Sequence, residues 1–133
     1  MENKRVLVDT SILIDFFRKE DKSKSLLYKI QRTHKILIST ISEFEFMAGV
    51  KEDHVKSIKY FFEKIGIISF DSSAALIASS IYRNLKTKNQ LIEFRDIFIA
   101  ATAIAHDIPV LTLNMNHFER VEHLKLLALN LFT

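Results

Sequence analysis

Cysteine is absent from this chain, and glycine and proline are nearly so, with two and one respectively in 133 residues. Without cysteine there is no disulfide framework and no thiolate metal site, which fits a reducing compartment. With so few residues that supply special backbone angles, connections are expected to be short and helices numerous. No apolar run approaches the length of a membrane span. The first residues, Met1 to Arg5, lead into a strand-like segment without the apolar stretch of a signal peptide. The expectation is a cytoplasmic protein with no membrane segment. Repeats, low-complexity tracts and Gly- or Pro-rich linkers are missing too, so residues 1–133 read as one domain large enough to bury its own core. Neither sign of charge dominates: 19 Lys and Arg against 16 Asp and Glu leave a net +3, which favours a polyanionic partner without establishing one.

What the chain does have is a set of short, unalternating aliphatic runs. Arg5 to Val8, Lys35 to Ser39, Ile67 to Phe70 and Val110 to Thr112 read as strands buried on both faces, and a short last strand is expected through Lys125 to Ala128. Between them apolar residues recur at helical spacing. Ile12, Leu13, Phe16 and Phe17 follow a cap at Thr10 or Ser11, and Leu26, Leu27 and Ile30 follow Asp21. Thr40-Ile41-Ser42-Glu43 matches a capping box, and further helices are expected from Asp53 to Phe62, after Asp71-Ser72-Ser73, and from Glu93 to His106. Strands alternating with helices predict an α/β fold with right-handed parallel crossovers. Lys86 to Gln90 is the one stretch that reads as a long loop.

In open parallel sheets the functional crevice lies outside the carboxyl ends of the strands, which is where Asp9 stands. Glu43 and Glu45 are about 200° apart around a helix, so they cannot serve one site together. Glu43 has the capping role; Glu45 shares its face with the small Ala48 and Gly49, which let another element come close, and is the better candidate. Asp96 opens a segment, Ile97 to Ala105, that is apolar nearly all round and so must be buried. Clustered carboxylates are tolerated when a cation neutralises them, and a set of oxygen donors without thiolates suits Mg²⁺ or Mn²⁺. Such ions serve phosphodiester hydrolysis.

Four blocks carry a family likeness. They are Val8-Asp9-Thr10-Ser11 with Asp15 after it, Ile41-Ser42-Glu43-Phe44-Glu45-Phe46-Met47-Ala48-Gly49, Arg95-Asp96-Ile97-Phe98-Ile99-Ala100-Ala101-Thr102-Ala103, and Leu111-Thr112-Leu113-Asn114-Met115-Asn116-His117-Phe118. In order, in spacing and over nearly the whole length, the chain resembles the PIN-domain nucleases, and specifically the VapC toxins of type II toxin–antitoxin systems. The resemblance implies a PIN-like (flavodoxin-like) three-layer sandwich whose parallel sheet has about five strands in the order 3-2-1-4-5. It implies that Asp9, Glu45 and Asp96 are the catalytic, metal-binding acids, with Mg²⁺ as cofactor and Mn²⁺ as substitute. Water attacking phosphorus in line would leave a 5′-phosphate and a 3′-hydroxyl. It also implies an RNA substrate, a cognate antitoxin that occludes the crevice, and a homodimer. The family's fourth position often carries an aspartate; here Asn114 adds no charge, which leaves one bound ion or two. Thr10, Thr112 and Asn114 are supporting residues. Asp15 is expected to bond backbone or hydroxyl groups beneath the site, and Glu93, one turn before Asp96, either joins the metal shell or only favours the helix dipole.

Taken singly, each acid has a plainer job: Asp9 as a helix cap, Asp96 as a first-turn acid, Glu45 as a solvated side chain. Only their joint placement argues otherwise. His34, His54, His106, His117 and His123 show no metal-ligand spacing with one another; His117 follows Asn114 near the crevice, but packing beside Phe118 is its better reading. Two functions of other classes compete with the nuclease. One is a PIN-like RNA- or partner-binding module that does not cut, for which the neutral Asn114 speaks. The other is a receiver-type signalling domain, against which stand the lone Asp9 and the lack of a lysine close after the last strand.

Overall fold

The computed structural model describes residues 4–132. In chain order the elements are β1 (Arg5–Val8), α1 (Thr10–Arg18), α2 (Leu26–Ile30), β2 (Lys35–Ser39), α3 (Thr40–Ala48), α4 (Val55–Lys64), β3 (Gly66–Ile68), α5 (Ser72–Thr87), α6 (Phe94–Ala105), β4 (Val110–Leu111) and α7 (Met115–Phe118). The four strands form one parallel sheet in the order β3-β2-β1-β4. In register, Leu7 pairs with Leu37 and Val110, and Leu37 with Gly66.

Side chains alternate across a strand, so an aliphatic run without polar breaks must be dry on both sides. Val6, Val8, Ile36, Ile38 and Leu111 pack on one face with Ile12 and Leu13 of α1, Leu26, Leu27 and Ile30 of α2, and Ile58 and Phe62 of α4. Leu7, Leu37 and Val110 pack on the other with Ala78, Ile81 and Leu85 of α5 and Ile97, Ala100 and Ala101 of α6. This is the three-layer α/β sandwich that the resemblance implies. Most phenylalanines pack in or against the core, Phe44 and Phe94 being exposed, and Phe16, Phe17, Phe46 and Phe61 cluster at centroid distances of 4.9–5.3 Å. Among the described residues, no helix is long and apolar enough to cross a membrane.

Three expectations are modified. The fifth strand is a single parallel bridge, Val110 to Leu126. Within β4 the carbonyls of Pro109 and Leu111 turn toward β1, so only Val110 offers its outer edge, giving and taking one bond each with Lys125 and Leu127 at 2.9 Å. The cap of α3 is Ser39, whose Oγ accepts from Ser42 N–H at 3.1 Å, and no capping box forms at Thr40. Thr40 Oγ1 instead accepts from Phe70 N–H at 3.1 Å and ties α3 to the chain after β3. Helix α5 continues through Thr87, because fully buried Leu85 pins its last turn, and the loop starts only at Lys88. Asn89, at φ 55°, ends it in the left-handed conformation that asparagine tolerates.

The junction of α1 and α2 also bears on the site. Lys22 Nζ donates to the carbonyls of Phe16, Phe17 and Lys19 at 2.7–3.1 Å and so closes the end of α1. Asp15 Oδ2 accepts from Leu26 N–H at 3.0 Å at the start of α2.

A Cβ on Gly66 would collide with the Leu37 side chain, which is buried in the neighbouring strand. Gly66→Ala is therefore expected to cost roughly 1–3 kcal/mol through overpacking. Gly49→Ala meets only the Phe46 carbonyl, at 3.7 Å, and should stay within about 0.5 kcal/mol of the parent. Urea unfolding of both checks this, with a lower midpoint for Gly66→Ala at unchanged slope.

Candidate active site

Strand β1 ends at Val8, and the next residue, Asp9, takes the N-cap position of α1 with extended backbone. Its side chain does not cap the helix. It turns into the protein, 4% exposed, and each carboxylate oxygen meets a hydroxyl. Thr112 Oγ1 donates to Oδ2 at 2.6 Å and Ser11 Oγ donates to Oδ1. Both hydroxyls also accept a backbone N–H, Thr112 from Asn114 at 2.8 Å and Ser11 from Leu113 at 3.0 Å. A hydroxyl has one proton, and with a lone pair already occupied it spends that proton on the carboxylate. The segment after β4 is thereby pinned to the start of α1.

Asp9, Glu45 and Asp96 line one cavity of about 220 Å³ together with Thr10, Ser11, Ile14, Arg95, Ile99 and Asn114. The three acids that the sequence singles out converge, from the end of β1, from α3 and from the first turn of α6. Glu45 reaches the cavity by a different route from the one expected, since Ala48 and Gly49 are exposed and nothing approaches Gly49 closely. What fixes Glu45 is Thr10, whose Oγ1 donates to Oε1 at 3.0 Å, and Arg95, whose Nη1 lies 3.2 Å from Oε2. Glu43 faces a separate hollow with Phe44 and Met47. Glu93 stands outside the cavity lining, 57% exposed, and holds the other end of Arg95 at 2.9 Å. Asp15 is likewise outside: it bonds Leu26 N–H, as expected of a residue beneath the site, and pairs with Lys19 at 3.5 Å.

His117 is misjudged by sequence reasoning. Helix α7 places its Nδ1 3.0 Å from Asp96 Oδ2 and 2.8 Å from Asn114 Nδ2. A protonated Nδ1 donates to Asp96 and a bare one accepts from Asn114, so the ring chooses between the two. Arg95 and Ser11 are the other residues the sequence leaves without a role at the site. Each is adjacent to or two residues from a predicted acid, but only the fold shows which way it points.

The cavity's donors suit a hard cation in kind: carboxylates, hydroxyls and an amide. Among the described residues, no three His, Asp or Glu side chains are grouped closely enough to hold an ion at once. Mg²⁺ does not require that, because it binds through one or two carboxylates and keeps several waters. Asp9 and Asp96, close enough for Asp96 to act on Asp9 through its charge, fit that requirement; Glu45 is engaged by Arg95.

The chain matches the PIN domain over residues 6–124. It is 34% identical over 122 residues to Ribonuclease VapC1 of Methanocaldococcus jannaschii, covering 91% of this chain and 84% of that one. It is 33% identical over 113 residues to Ribonuclease VapC19 of Mycobacterium tuberculosis, covering 84% and 90%. Among solved structures, VapBC2 from Rickettsia felis, bound to a promoter DNA fragment, superposes with a TM-score of 0.79 at 25% identity, covering 92% of this chain and 96% of that one. DNA-bound VapBC from Salmonella typhimurium has the same fold, with a TM-score of 0.82 at 19% identity over 95% and 98% of the two chains.

Burial pushes the Asp9 carboxyl above its ordinary range, with Asp96 adding to the rise and the Ser11 and Thr112 hydroxyls opposing it. While the two hydroxyl donors work for the anion, the fold therefore holds the Asp9 proton more tightly than the unfolded chain does. That contribution is fully present below the ordinary carboxylate range and lost as pH rises through the elevated value. With divalent ions chelated, the stability of the parent relative to Asp9→Asn, which cannot ionise, should rise as the pH falls from neutral into the acid range; melting curves of both across pH check it.

Proposed function

This chain belongs to the PIN domain family, and from that premise we propose that it is the endoribonuclease toxin of a type II toxin–antitoxin pair, hydrolysing RNA phosphodiester bonds with a divalent cation. The observation that carries this reading is the burial of two carboxylates, Asp9 and Asp96, in the wall of one cavity at the carboxyl end of the sheet. Burial of like charges is costly unless a cation is to be met there. Mg²⁺, or Mn²⁺ in its place, would be held by Asp9 and Asp96 and would supply water activation and charge neutralisation for the displacement at phosphorus.

The protein's own residues have separable tasks. Ser11 and Thr112 hold both oxygens of Asp9 in fixed directions. His117 orients Asp96 through Nδ1, and Asn114 lies against the same ring. Glu45, steadied by Thr10, is placed to act through a bound water, and Arg95 balances its charge until RNA or the ion arrives. Glu93 acts on the site only through Arg95. A cognate antitoxin is the expected protein partner, supported by similarity to the VapBC complexes. A homodimer belongs to the same reading; the apolar hollow between α5 and α6, lined by Tyr82, Phe94 and Phe98, is the kind of surface association removes from water.

A second reading, an RNA- or partner-binding module that does not cut, is favoured by the neutral Asn114 and by the Arg95–Glu45 pair, which together leave the cavity less acidic than a four-acid site. A receiver-type function is set aside by the family.

Cleavage of cellular RNA by the purified protein, freed of any co-purifying partner, decides between them. Discrete fragments are expected with Mg²⁺ or Mn²⁺ and none with EDTA. A folded Asp96→Asn variant should lose at least about 100-fold, more than is usual for residues that merely support a metal ligand. Equal cutting by the variant would assign the activity to a contaminant, and the absence of cutting or metal binding under all conditions would leave the binding module.

A further inference from the structure

A second hollow of about 530 Å³ adjoins the acidic cavity and shares Ser11 and Ile14 with it; its remaining walls are Asp15, Arg18, Lys19 and Leu113. Ser11, Ile14, Asp15 and Arg18 follow one another at helical spacing, so one face of α1 runs from the acids to the basic end. Charge changes sign along that face. Asp15 is engaged by Leu26 N–H and Lys19, and Lys19 by Asp15. Arg18 is exposed and, among the described residues, has no hydrogen-bond or ion-pair partner. Attraction to the negative end of α1 would account for a cation in its last turn, but Lys22 already takes the terminal carbonyls of Phe16, Phe17 and Lys19.

The geometry points to Arg18 as a binding residue for an RNA phosphate next to the scissile one, with the strand running along α1 from the acidic cavity. This rests on the ribonuclease reading. About seven residues of helix separate Ser11 from Arg18, about 10 Å, too far for the guanidinium to serve the reacting phosphate and suited to a neighbour in the same strand. A guanidinium with free donors is the side chain best matched to phosphate oxygens. The groove offers single-stranded RNA what it needs: a cationic flank beside a cation-binding centre, with the wall between them fixed by the Leu113 N–H bond to Ser11.

Binding of a short labelled single-stranded RNA by the Asp96→Asn protein in EDTA, followed by fluorescence anisotropy over a range of KCl, isolates this contact from cleavage. Adding Arg18→Ala should weaken binding and lower the slope of log K against log salt by about 0.7, the amount for one phosphate contact on a single strand. Arg18→Lys should keep most of that slope. Arg32→Ala, which removes the same charge from a separate hollow lined with Lys29 and Phe132, should leave it unchanged. An unaltered slope in Arg18→Ala, or an equal fall in Arg32→Ala, overturns the proposal. Cleavage by the Asp96 protein is scored separately on the same RNA. A slope change without cleavage keeps the Arg18 site and removes the nuclease reading; cleavage without a slope change removes the Arg18 site alone.

Discussion

The fold turns on one buried anion. Asp9 sits at the end of the central strand, flanked by β2 on one side and β4 on the other, almost wholly buried in the cavity wall. A carboxylate in that position needs donors on both oxygens, and neutral ones, since a cation fixed there by the protein would close the site to anything else. Two hydroxyls meet the need, and each is forced into the donor role by a backbone N–H on its far side. The turn after β4, the start of α1 and the direction of the acid are therefore one arrangement. Loss of any member leaves the others without partners.

The other two acids are treated differently. Glu45 carries a cation of the protein's own, Arg95, and Asp96 a ring nitrogen shared with Asn114. The cavity thus ranges from an anion with hydroxyl partners through one with an imidazole partner to one paired with a guanidinium. Glu93 extends the pairing outward, so Arg95 spans from the cavity rim to solvent.

Much of the sheet is legible in the sequence because a short aliphatic run without polar breaks suits little besides a strand dry on both faces, and an acid at the end of such a run marks the crevice. Asp96 is legible for a similar reason, as a charge at the head of a segment apolar all round. What escapes is whatever depends on direction alone. Ser39 and Thr40 are both able to cap α3, and only the position of Phe70 N–H decides that Thr40 is occupied elsewhere. Ala48 and Gly49 suggest a close approach that does not occur; Glu45 lines the cavity because Thr10 and Arg95 hold it there. His117 looks like packing beside Phe118 because nothing in the spacing tells that α7 tips the ring toward Asp96 while Phe118 goes into the core. The last strand shrinks to a bridge because β4 has only one outward-facing residue to offer.

The bond between Asp9 and Thr112 joins residues 103 positions apart. During synthesis Asp9 is made about a hundred residues before the strand and hydroxyl that complete its surroundings. The intervening helices and strands can collapse before then, but the central strand lacks its β4 neighbour and the acid lacks one of its two donors. A nascent chain of this protein therefore lacks the finished site until Thr112 has left the ribosome. The carboxylate's surroundings are thus a late product of synthesis, timed by sequence separation alone.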